Sequence, residues 1–385
     1  MTIIALYIAL WFLILTSLIL AYNMLWFKGL KASPTLIAET YPRVSICIPA
    51  RNEADVIERC ITSALKQDYP NFEVIVLDDD SDDGTTEILE TLSSIIHNLG
   101  YIKGKTKPAD WLGKPWACHQ LSEVATGSIL LFIDADVWLE EDVLLKTVAQ
   151  LQSADAITVW PEQHLGGFWE RLVVPNLYFV LTTLLPIQFV EETPNWIPKS
   201  VRKKLSPLFA AACGQFIAFN TITYKGIGGH KSVKKQVVED VELAKNIKKH
   251  GARLRMLHGL DSVYCRMYTN HHDLWNGFRK NFLAGFGYNL PLFIGATVFH
   301  LLVFVFPFIA LYNGVLTSNY DVITLSCLVV LLILTQRFVV QYKFKWPALF
   351  SLLHPVSVLW FQALGLQCIF DRLIQKKPLW KGREV

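Results

Sequence analysis

The chain has 385 residues, of which 52% are hydrophobic and 18% are charged, whereas an average soluble domain is about 25% charged. Mean hydropathy is +0.33, and these figures exclude a disordered chain and an ordinary soluble enzyme. The charge is unevenly distributed, because 58 of the 69 charged residues lie within residues 28–280 and none precedes residue 28. The composition therefore predicts a globular domain with membrane segments at both ends.

The first predicted element is an uncharged apolar run over residues 2–27, long enough to cross about 30 Å of hydrocarbon as a helix. We expect a transmembrane anchor over residues 1–28. A cleaved signal peptide is the alternative, but the run lacks a basic start and a small-residue cleavage site. Lys28 and Lys31 follow the run, so the positive-inside rule predicts a multi-pass cell-membrane protein with its globular domain in the cytosol.

The globular domain is predicted to be an α/β domain with a mainly parallel, Rossmann-like sheet. Short apolar runs over 44–49, 72–77 and 129–133 are typical of buried strands, and helical patterns over 53–66 and 85–99 alternate with them. Such alternation indicates a parallel sheet covered by helices. Its 30 acidic and 28 basic residues give no basic field, so we expect no nucleic-acid partner.

Polar clusters follow each predicted strand, where ligands of parallel sheets bind. They are Pro49 to Glu53, the acidic run Asp78 to Asp83, and Asp134-Ala135-Asp136. Acids after a strand can be helix caps, an interpretation that suits Asp82 or Asp83. Two carboxylates one residue apart repel each other unless a cation or a donor compensates, and a divalent ion is the natural compensator. We therefore predict that Asp136 and Asp134 hold Mg²⁺ or Mn²⁺.

Three segments together, VSICIPARNEADVIERCITSALKQDYPNFEVIVLDDDSDDGT, GKPWA and FIDADV, resemble the nucleotide-sugar domain of family 2 inverting glycosyltransferases, which have the GT-A fold. The resemblance covers about residues 43–282. It implies a metal-dependent hexosyltransferase whose donor is a UDP-sugar.

The resemblance also assigns roles to individual residues. Pro49, Arg51, Glu53 and Asp79 are expected to hold the uridine, with the Arg51 guanidinium stacking on the base where relatives often place an aromatic residue. Lys114 is expected beside the donor, although a solvated lysine at a helix start is the alternative. Asp134 is expected toward the sugar or ribose.

The pair Glu239-Asp240 stands at the start of a helical pattern, where acids usually serve capping. In the family, the matching pair contains the catalytic base, so Asp240 is the first candidate and Glu239 the second. Gly214 and Gln215 resemble acceptor segments in which bulk would block the sugar, although ordinary turns are the alternative.

Family members that make long polymers carry QxxRW next, but this chain has a degenerate segment from His272 to Asn281. Arg279 and Lys280 are expected to face the diphosphate, or alternatively to flank the next membrane span. Trp275 in the same segment is a candidate acceptor contact. The lack of a clean motif argues against a long processive product.

The chain is predicted to contain a cytosolic domain over residues 29–282, with an apolar interfacial insert at about 166–198. C-terminal membrane helices are expected over 283–371, followed by a basic tail over 372–385. Helices are expected at 290–316 and 322–340, and the segment 346–369, with Pro347 and Pro355, either spans or re-enters.

The apolar insert suggests that the acceptor is a membrane lipid reaching the site from the bilayer. KPADWLGKPWACHQL, GGHKSV and CRMYTNHHDLWNGFRKN resemble carotenoid-acid or hydroxycarotenoid glucosyltransferases and hopanoid-associated glycosyltransferases. We therefore expect transfer of a hexose, glucose by this likeness, to an isoprenoid lipid. A polyprenyl-phosphate sugar transferase and a non-catalytic membrane scaffold are the alternatives.

Overall fold

The structure is a computed structural model, and it describes residues 1–32 and 41–384. The α-helices in chain order are α1 (Thr2–Trp26), α2 (Ile57–Leu65), α3 (Thr85–Ile95), α4 (Gly113–Val124), α5 (Val143–Leu151), α6 (Phe168–Val173), α7 (Pro175–Leu184), α8 (Gln188–Glu191), α9 (Lys199–Leu205), α10 (Thr221–Gly226), α11 (Glu239–Lys249), α12 (His271–Phe282), α13 (Leu290–Phe304), α14 (Phe306–Leu316), α15 (Tyr320–Lys343) and α16 (His354–Leu373). Short 3₁₀ helices cover Ser206–Phe209, His230–Val233, Ala284–Phe286 and Ala348–Leu353.

The strands are β1 (Val44–Ala50), β2 (Phe72–Asp78), β3 (Leu99–Lys103), β4 (Ile129–Ile133), β5 (Val137–Leu139), β6 (Ala156–Gln163), β7 (Phe216–Asn220) and β8 (Leu254–Cys265). The pair β9 (Leu379–Trp380) and β10 (Arg383–Glu384) is antiparallel. The chain forms two compact units. The first, which we call the apolar unit, contains residues 1–26, 165–186 and 268–385, and the second, the sheet unit, contains residues 27–164 and 187–267.

The sheet unit is built on one eight-stranded sheet with the order β3-β2-β1-β4-β7-β6-β8-β5. Strands β3, β2, β1 and β4 are parallel neighbours, and β6 is parallel to β8. Strands β7 and β5 run the opposite way. The prediction of a mainly parallel α/β sheet is confirmed, and the three strands expected from the sequence appear within one residue of their predicted bounds.

The core of the sheet unit forms because the central strands are apolar on both faces. Ile48 and Cys47 of β1, which lie on opposite faces of the sheet, are fully buried, as are Val76 and Leu77 of β2. Helices cover such strands on both sides. The helix predicted over 85–99 ends earlier, at Ile95, because Leu99 pairs with Val74 as the first residue of β3.

In the apolar unit, helix α1 has no polar face, and it buries one apolar face while exposing another. Leu6, Leu13 and Leu20 are buried at heptad spacing. Large side chains at the same spacing on another face are exposed, namely Ile4, Trp11, Leu18 and Leu25. A helix that is apolar all round suits a membrane. In the described residues, three helical segments are long and apolar enough to cross one: Thr2–Trp26, Tyr320–Lys343 and Ala348–Leu373.

The segment 290–316, expected as one helix, is divided into α13 and α14 at Val305. Pro307 explains the break, because a proline lacks a backbone N–H and its ring clashes with the carbonyl four residues earlier. The segment His271–Phe286 meets α13 at an angle of 112°. The expected insert is also divided between the units, since residues 165–186 belong to the apolar unit and 187–198 to the sheet unit.

Candidate active site

The candidate site lies at one edge of the sheet, where several strands present their ends. Strands β1, β2 and β4 end there, at Ala50, Asp78 and Ile133. Strand β7 runs antiparallel and begins at the same edge, with Phe216 paired to Ile133. Ligands of α/β sheets bind at this kind of edge, and one antiparallel strand adds the segment Gly214–Gln215 to it.

The loop after β1 is fastened to the loop after β2. Arg51 Nη1 donates to the backbone carbonyls of Asp79 and Asp80, and the Asn52 amide donates to Asp82 Oδ1 at 2.7 Å. Both loops contain residues in the left-handed region, Asn52 at φ 53° and Asp80 at φ 62°, a conformation that asparagine and aspartate tolerate better than most residues. Arg51, expected to stack on the base, here holds the two loops together.

The acidic run after β2 separates into structural carboxylates and one candidate ligand. Asp78 accepts from the hydroxyls of Ser81 and Thr86. Asp83, one residue before the N-cap Gly84 of α3, accepts from the backbone N–H of Thr85 at 3.0 Å and from the Thr85 hydroxyl. Asp79 follows the strand directly, and its backbone N–H donates to Ala50 at 2.8 Å. Asp79 is only 6% exposed.

Glu53 and Pro49 belong to the same edge. The Glu53 backbone N–H donates to Thr85 Oγ1 at 2.8 Å, and its carbonyl accepts from the first residues of α2. Pro49 lines a narrow cavity of about 10 Å³ at the strand ends. Both positions support the loop, and direct contact of either residue with a uridine stays a prediction.

Lys114, at the start of α4, is the electrostatic centre of the site. Its Nζ lies 2.7 Å from Asp134 Oδ1 and 3.1 Å from Glu239 Oε1, and 3.5 Å from the Gly214 carbonyl. Burial opposes the charged form of Lys114, but the carboxylates of Asp134 and Glu239 outweigh it and raise the Lys114 pKa well above its usual value. The Lys114 side chain is 36% exposed, but its ammonium joins two carboxylates from different elements, unlike a lysine that only faces solvent at a helix start.

Asp240, in the first turn of α11, is held differently from Glu239. Its Oδ2 accepts from the Gly214 N–H at 2.8 Å and its Oδ1 from the Val241 N–H at 2.8 Å. Burial and then the charge of Glu239 raise the Asp240 pKa to about 6, against the opposing effects of Lys114 and the two N–H groups. A carboxylate with a raised pKa is suited to accepting a proton near neutral pH. Glu239, by contrast, is occupied by the ammonium of Lys114.

The close neighbours of Gly214 account for a glycine at this position. An added Cβ would lie 3.1 Å from Lys114 Nζ and 3.3 Å from Asp240 Oδ2. The neighbouring side chain of Gln215 points into the protein, where its Oε1 accepts from Gln163 at 2.8 Å and its Nε2 contacts Cys265 Sγ at 2.9 Å. Gln215 is 6% exposed, so in this structure its side chain supports the strand end, and its acceptor role stays a prediction.

The pair Asp134 and Asp136 follows β4 on one short loop. Within residues 1–32 and 41–384, no three His, Cys, Asp or Glu side chains come together as a ready-made metal site. A divalent ion held here would therefore need oxygen ligands from the substrate and water besides the two carboxylates, which is the habit of Mg²⁺ at phosphate sites. The two carboxylates fit that chemistry, and in this structure the Lys114 ammonium balances the charge of Asp134.

His230 belongs to the GGHKSV segment singled out in the sequence, but no role was predicted for its side chain. It lines the same narrow cavity as Lys114 and Asp240. The His230 N–H donates to Tyr224 Oη at 3.0 Å, and that hydroxyl lies 2.7 Å from Nδ1. Burial, then the charge of Lys114, lower the His230 pKa to about 3, so the ring is neutral at physiological pH. The resemblance of Gly228-Gly229-His230 to a glycine-containing acceptor segment was the sequence signal for this position.

The remaining predicted residues, Arg279, Lys280 and Trp275, belong to the apolar unit. Arg279 Nε donates to Asp371, and both side chains are largely buried. The Trp275 ring lies 5.0 Å from that of Trp360. The expected contacts of Arg279 and Lys280 with a diphosphate, and of Trp275 with an acceptor, stay predictions.

The mixed sheet with its polar edge has a GT-A type fold. One solved structure similar to the whole chain is a mannosyltransferase from Pyrobaculum calidifontis in complex with GDP-Man and Mn²⁺. It is 17% identical, the match covers 97% of this chain and 100% of that one, and the TM-score is 0.55. This likeness shows the fold alone.

Sequence comparison then gives the family. Residues 45–186 match Glycosyl transferase family 2, and this part of the chain is a family 2 glycosyltransferase domain. The chain also resembles 4,4'-diaponeurosporenoate glycosyltransferases. That of Staphylococcus haemolyticus is 28% identical over 251 residues, 64% of this chain but only 63% of the relative's own length. That of Staphylococcus aureus strain USA300 is 25% identical over 351 residues, 89% of this chain and 88% of the relative.

Proposed function

We propose that the protein is an inverting glycosyltransferase that moves a hexose from a UDP-sugar to a membrane isoprenoid lipid of the carotenoid type. The observation that carries this proposal is the cluster at the sheet edge, in which Asp240 is held by the Gly214 N–H beside the ion pairs of Lys114 with Asp134 and Glu239. The cluster combines a candidate base and a cation at the place where α/β domains bind ligands.

The donor is proposed to bind along this edge. Asp79, fixed through its backbone at the end of β2, is suited to accept the imide N–H of uracil, and the loops clamped by Arg51 form the wall beside it. Lys114 supplies positive charge for the diphosphate. A divalent ion bound by Asp136 and Asp134 would neutralise further charge on the leaving group.

Inversion at the anomeric carbon needs one in-line displacement. The acceptor oxygen attacks, the bond to the diphosphate breaks, and UDP leaves with the bonding electron pair. If the acceptor is a hydroxyl, Asp240 takes its proton. If the acceptor is a carboxylic acid, it is already ionised at neutral pH, and Asp240 then orients it rather than deprotonating it.

A lipid acceptor is supported by the apolar unit and by the names of the relatives. Within this unit, the ring centroids of Trp169 and His271 are 4.6 Å apart, and Trp360 Nε1 donates to His271 Nε2 at 3.0 Å. With Trp275 against Trp360, these residues form an aromatic group suited to a flat, apolar lipid. Lys28 and Lys31 after α1 support a cytosolic sheet unit.

The test is to incubate membranes containing the protein with isotopically labelled UDP-glucose, UDP-GlcNAc and GDP-mannose, each with Mg²⁺ or Mn²⁺, and to analyse the lipid extract by mass spectrometry. We expect a labelled hexosyl isoprenoid with a UDP-sugar. A product formed only from GDP-mannose would overturn the UDP assignment, and no labelled lipid from any donor would overturn the proposed function.

Two variants sharpen this test. Asp136→Asn should abolish transfer while leaving the protein folded, and full activity of this variant would contradict the proposed metal ligand. Asp240→Ala separates acceptor classes, because it should stop transfer to a hydroxyl but leave measurable transfer to a carboxylate or to a polyprenyl phosphate, which need no base. The mass of the labelled lipid distinguishes the last two.

A further inference from the structure

Helix α15 of the apolar unit contains an arginine in an unusual environment. Arg337 is completely buried, at 0% exposure. Among the residues that the structure describes, none forms a hydrogen bond with its Nε, Nη1 or Nη2 atoms. Its guanidinium lies 5.4 Å from the centre of the Phe179 ring on α7. Burying a charge without a counter-charge is costly, and an ionisable residue inside a membrane segment marks a functional site by default.

Two further buried polar side chains accompany Arg337. Gln341 lies one turn further along α15, so that the two residues share a helix face, and it too is 0% exposed. His354, at the start of α16, is 1% exposed, and its ring lies 5.1 Å from that of Phe179. Within the described part of the chain, the amide of Gln341 and both ring nitrogens of His354 lack hydrogen-bond partners.

The acidic residues of the neighbouring helices do not serve as counter-ions for this group. Asp371 on α16 already accepts from Arg279 and from Gln367, the latter at 2.9 Å. Asp321 stands in the first turn of α15, sixteen residues before Arg337 and therefore about 24 Å away along the helix. Glu170 on α6 accepts from the backbone N–H groups of Gly166 and Gly167. Within the described residues no carboxylate hydrogen-bonds the Arg337 guanidinium, so the group offers five guanidinium N–H donors, an amide and an imidazole.

We propose that Arg337, Gln341 and His354 form a binding site for the oxyanion headgroup of an amphiphilic lipid, a carboxylate or a phosphate. Arginine is suited to both, because its planar fork donates two parallel hydrogen bonds. The aromatic rings of Phe179 and Phe304, which both contact His354, provide an apolar wall for the hydrocarbon part.

The position along α15 favours a lipid over a small aqueous anion. Arg337 precedes Lys343, the last residue of α15, by six residues, or about 9 Å. It therefore lies inside the apolar stretch but near its basic end, at a depth that a lipid headgroup can reach. This site concerns lipid binding only, and it stands whether or not the chain transfers a sugar.

The experiment uses the full chain in neutral detergent micelles, with all-trans-retinoic acid as an isoprenoid carboxylate and retinol as its uncharged match. Energy transfer from tryptophan to the bound retinoid reports binding. We expect the acid to bind at least about tenfold more tightly than the alcohol, and Arg337→Met to bring the two affinities to about the same value. A wild-type protein that binds both equally, or an Arg337→Met protein that keeps the preference, would overturn the proposal.

Matched variants separate binding from folding. Lys343→Met removes a positive charge from the same helix and should keep the preference for the acid, and Arg337→Lys should keep part of it. Arg337→Met should not lower the thermal unfolding midpoint without lipid, because it removes a buried charge that nothing balances. If Arg337→Met does unfold, the Gln341→Leu variant tests the proposed site instead. Weaker binding of retinoic acid by Gln341→Leu supports the site, and unchanged binding overturns it.

A competition experiment with phospholipids identifies which lipid headgroup the proposed site binds. Phosphatidylglycerol should displace retinoic acid if the site takes phosphates as well, with phosphatidylcholine as the zwitterionic control. Displacement by phosphatidylglycerol alone assigns the site to anionic phospholipids, whereas no displacement by either assigns it to lipid carboxylates.

Discussion

Among single side chains, Lys114 is the one whose loss we expect to impair activity most clearly, because of its contacts. Its ammonium separates the carboxylates of Asp134 and Glu239, which would repel each other without it. We expect Lys114→Met to lower kcat/KM by about 10²–10³, the usual effect of removing one group that stabilises developing charge.

Lys146→Met is the control for this variant. It also removes a lysine ion pair, with Asp142 at 2.8 Å, and a hydrogen bond to the Ser262 hydroxyl at 2.8 Å, but on α5 and with none of the sheet-edge carboxylates. Activity of Lys146→Met should stay within about twofold of the wild type. A similar loss in both variants would show that Lys114 acts through stability rather than through the site.

Asp240 predicts a dependence of stability on pH. Its pKa in the folded protein is raised to about 6, whereas an unfolded chain has an aspartate pKa of about 3.9. The folded state thus binds the proton more tightly, and this carboxyl destabilises the protein as pH rises through 4 to 6. Asp240→Asn should therefore raise the melting temperature at about pH 7.5, and the gain should disappear below about pH 4. An equal gain at both pH values would contradict the raised pKa.

At the scale of elements, the segment just before β7 leaves little room for a side chain at Gly214. A methyl group there would lie 3.1 Å from Lys114 Nζ and 3.3 Å from Asp240 Oδ2, so that both groups would have to move. Displacements of this size impair positioning, and we expect Gly214→Ala to lower kcat about tenfold or more with a smaller effect on donor KM. Gly226→Ala, where an added Cβ meets nothing within 4 Å, should leave kcat unchanged.

Helices α1 and α15 are joined by a buried side chain. Gln336 Nε2 donates to the Leu13 carbonyl at 2.9 Å and lies within 2.9 Å of the hydroxyls of Thr16 and Ser17. Interhelical bonds of this kind contribute about 0.6–1.7 kcal/mol in membranes. Gln336→Leu should lower the unfolding midpoint in detergent, and Leu331→Met, at an exposed position on α15, should not. Equal midpoints for the two variants would show that the bond contributes nothing.

The sequence predicted the strands well and several side-chain roles less well, for physical reasons. Strands such as Val44–Ala50 are recognisable because a buried strand must be apolar on both faces. The break at Val305 could have been expected from Pro307, but a uniformly apolar stretch hides it. The clamp made by Arg51 could not be predicted, because it depends on which backbone carbonyls of the next loop come within reach. The inward turn of Gln215 likewise depends on Gln163 and Cys265, which are distant in sequence.

At the scale of the whole molecule, the exposed apolar surface predicts how the protein fractionates. One face of α1 presents Ile4, Trp11, Leu18 and Leu25, which are 65%, 69%, 65% and 79% exposed. Such a face is stable only against lipid or detergent. We expect the protein to stay with membranes through high-salt and alkaline washes and to be released by neutral detergent. Release by salt alone would indicate electrostatic attachment and would contradict membrane-spanning helices.

The division of the chain between the two units has a consequence for biosynthesis. The apolar unit takes its residues from three separated stretches, 1–26, 165–186 and 268–385, and Gln336 meets Leu13 across 323 residues. During translation, α1 leaves the ribosome long before its partner α15, which begins at Tyr320. At about 5–20 residues per second, α1 waits tens of seconds with Leu6, Leu13 and Leu20 uncovered. The apolar sequence that suits α1 to lipid in the finished protein also lets the bilayer cover this face until α15 arrives.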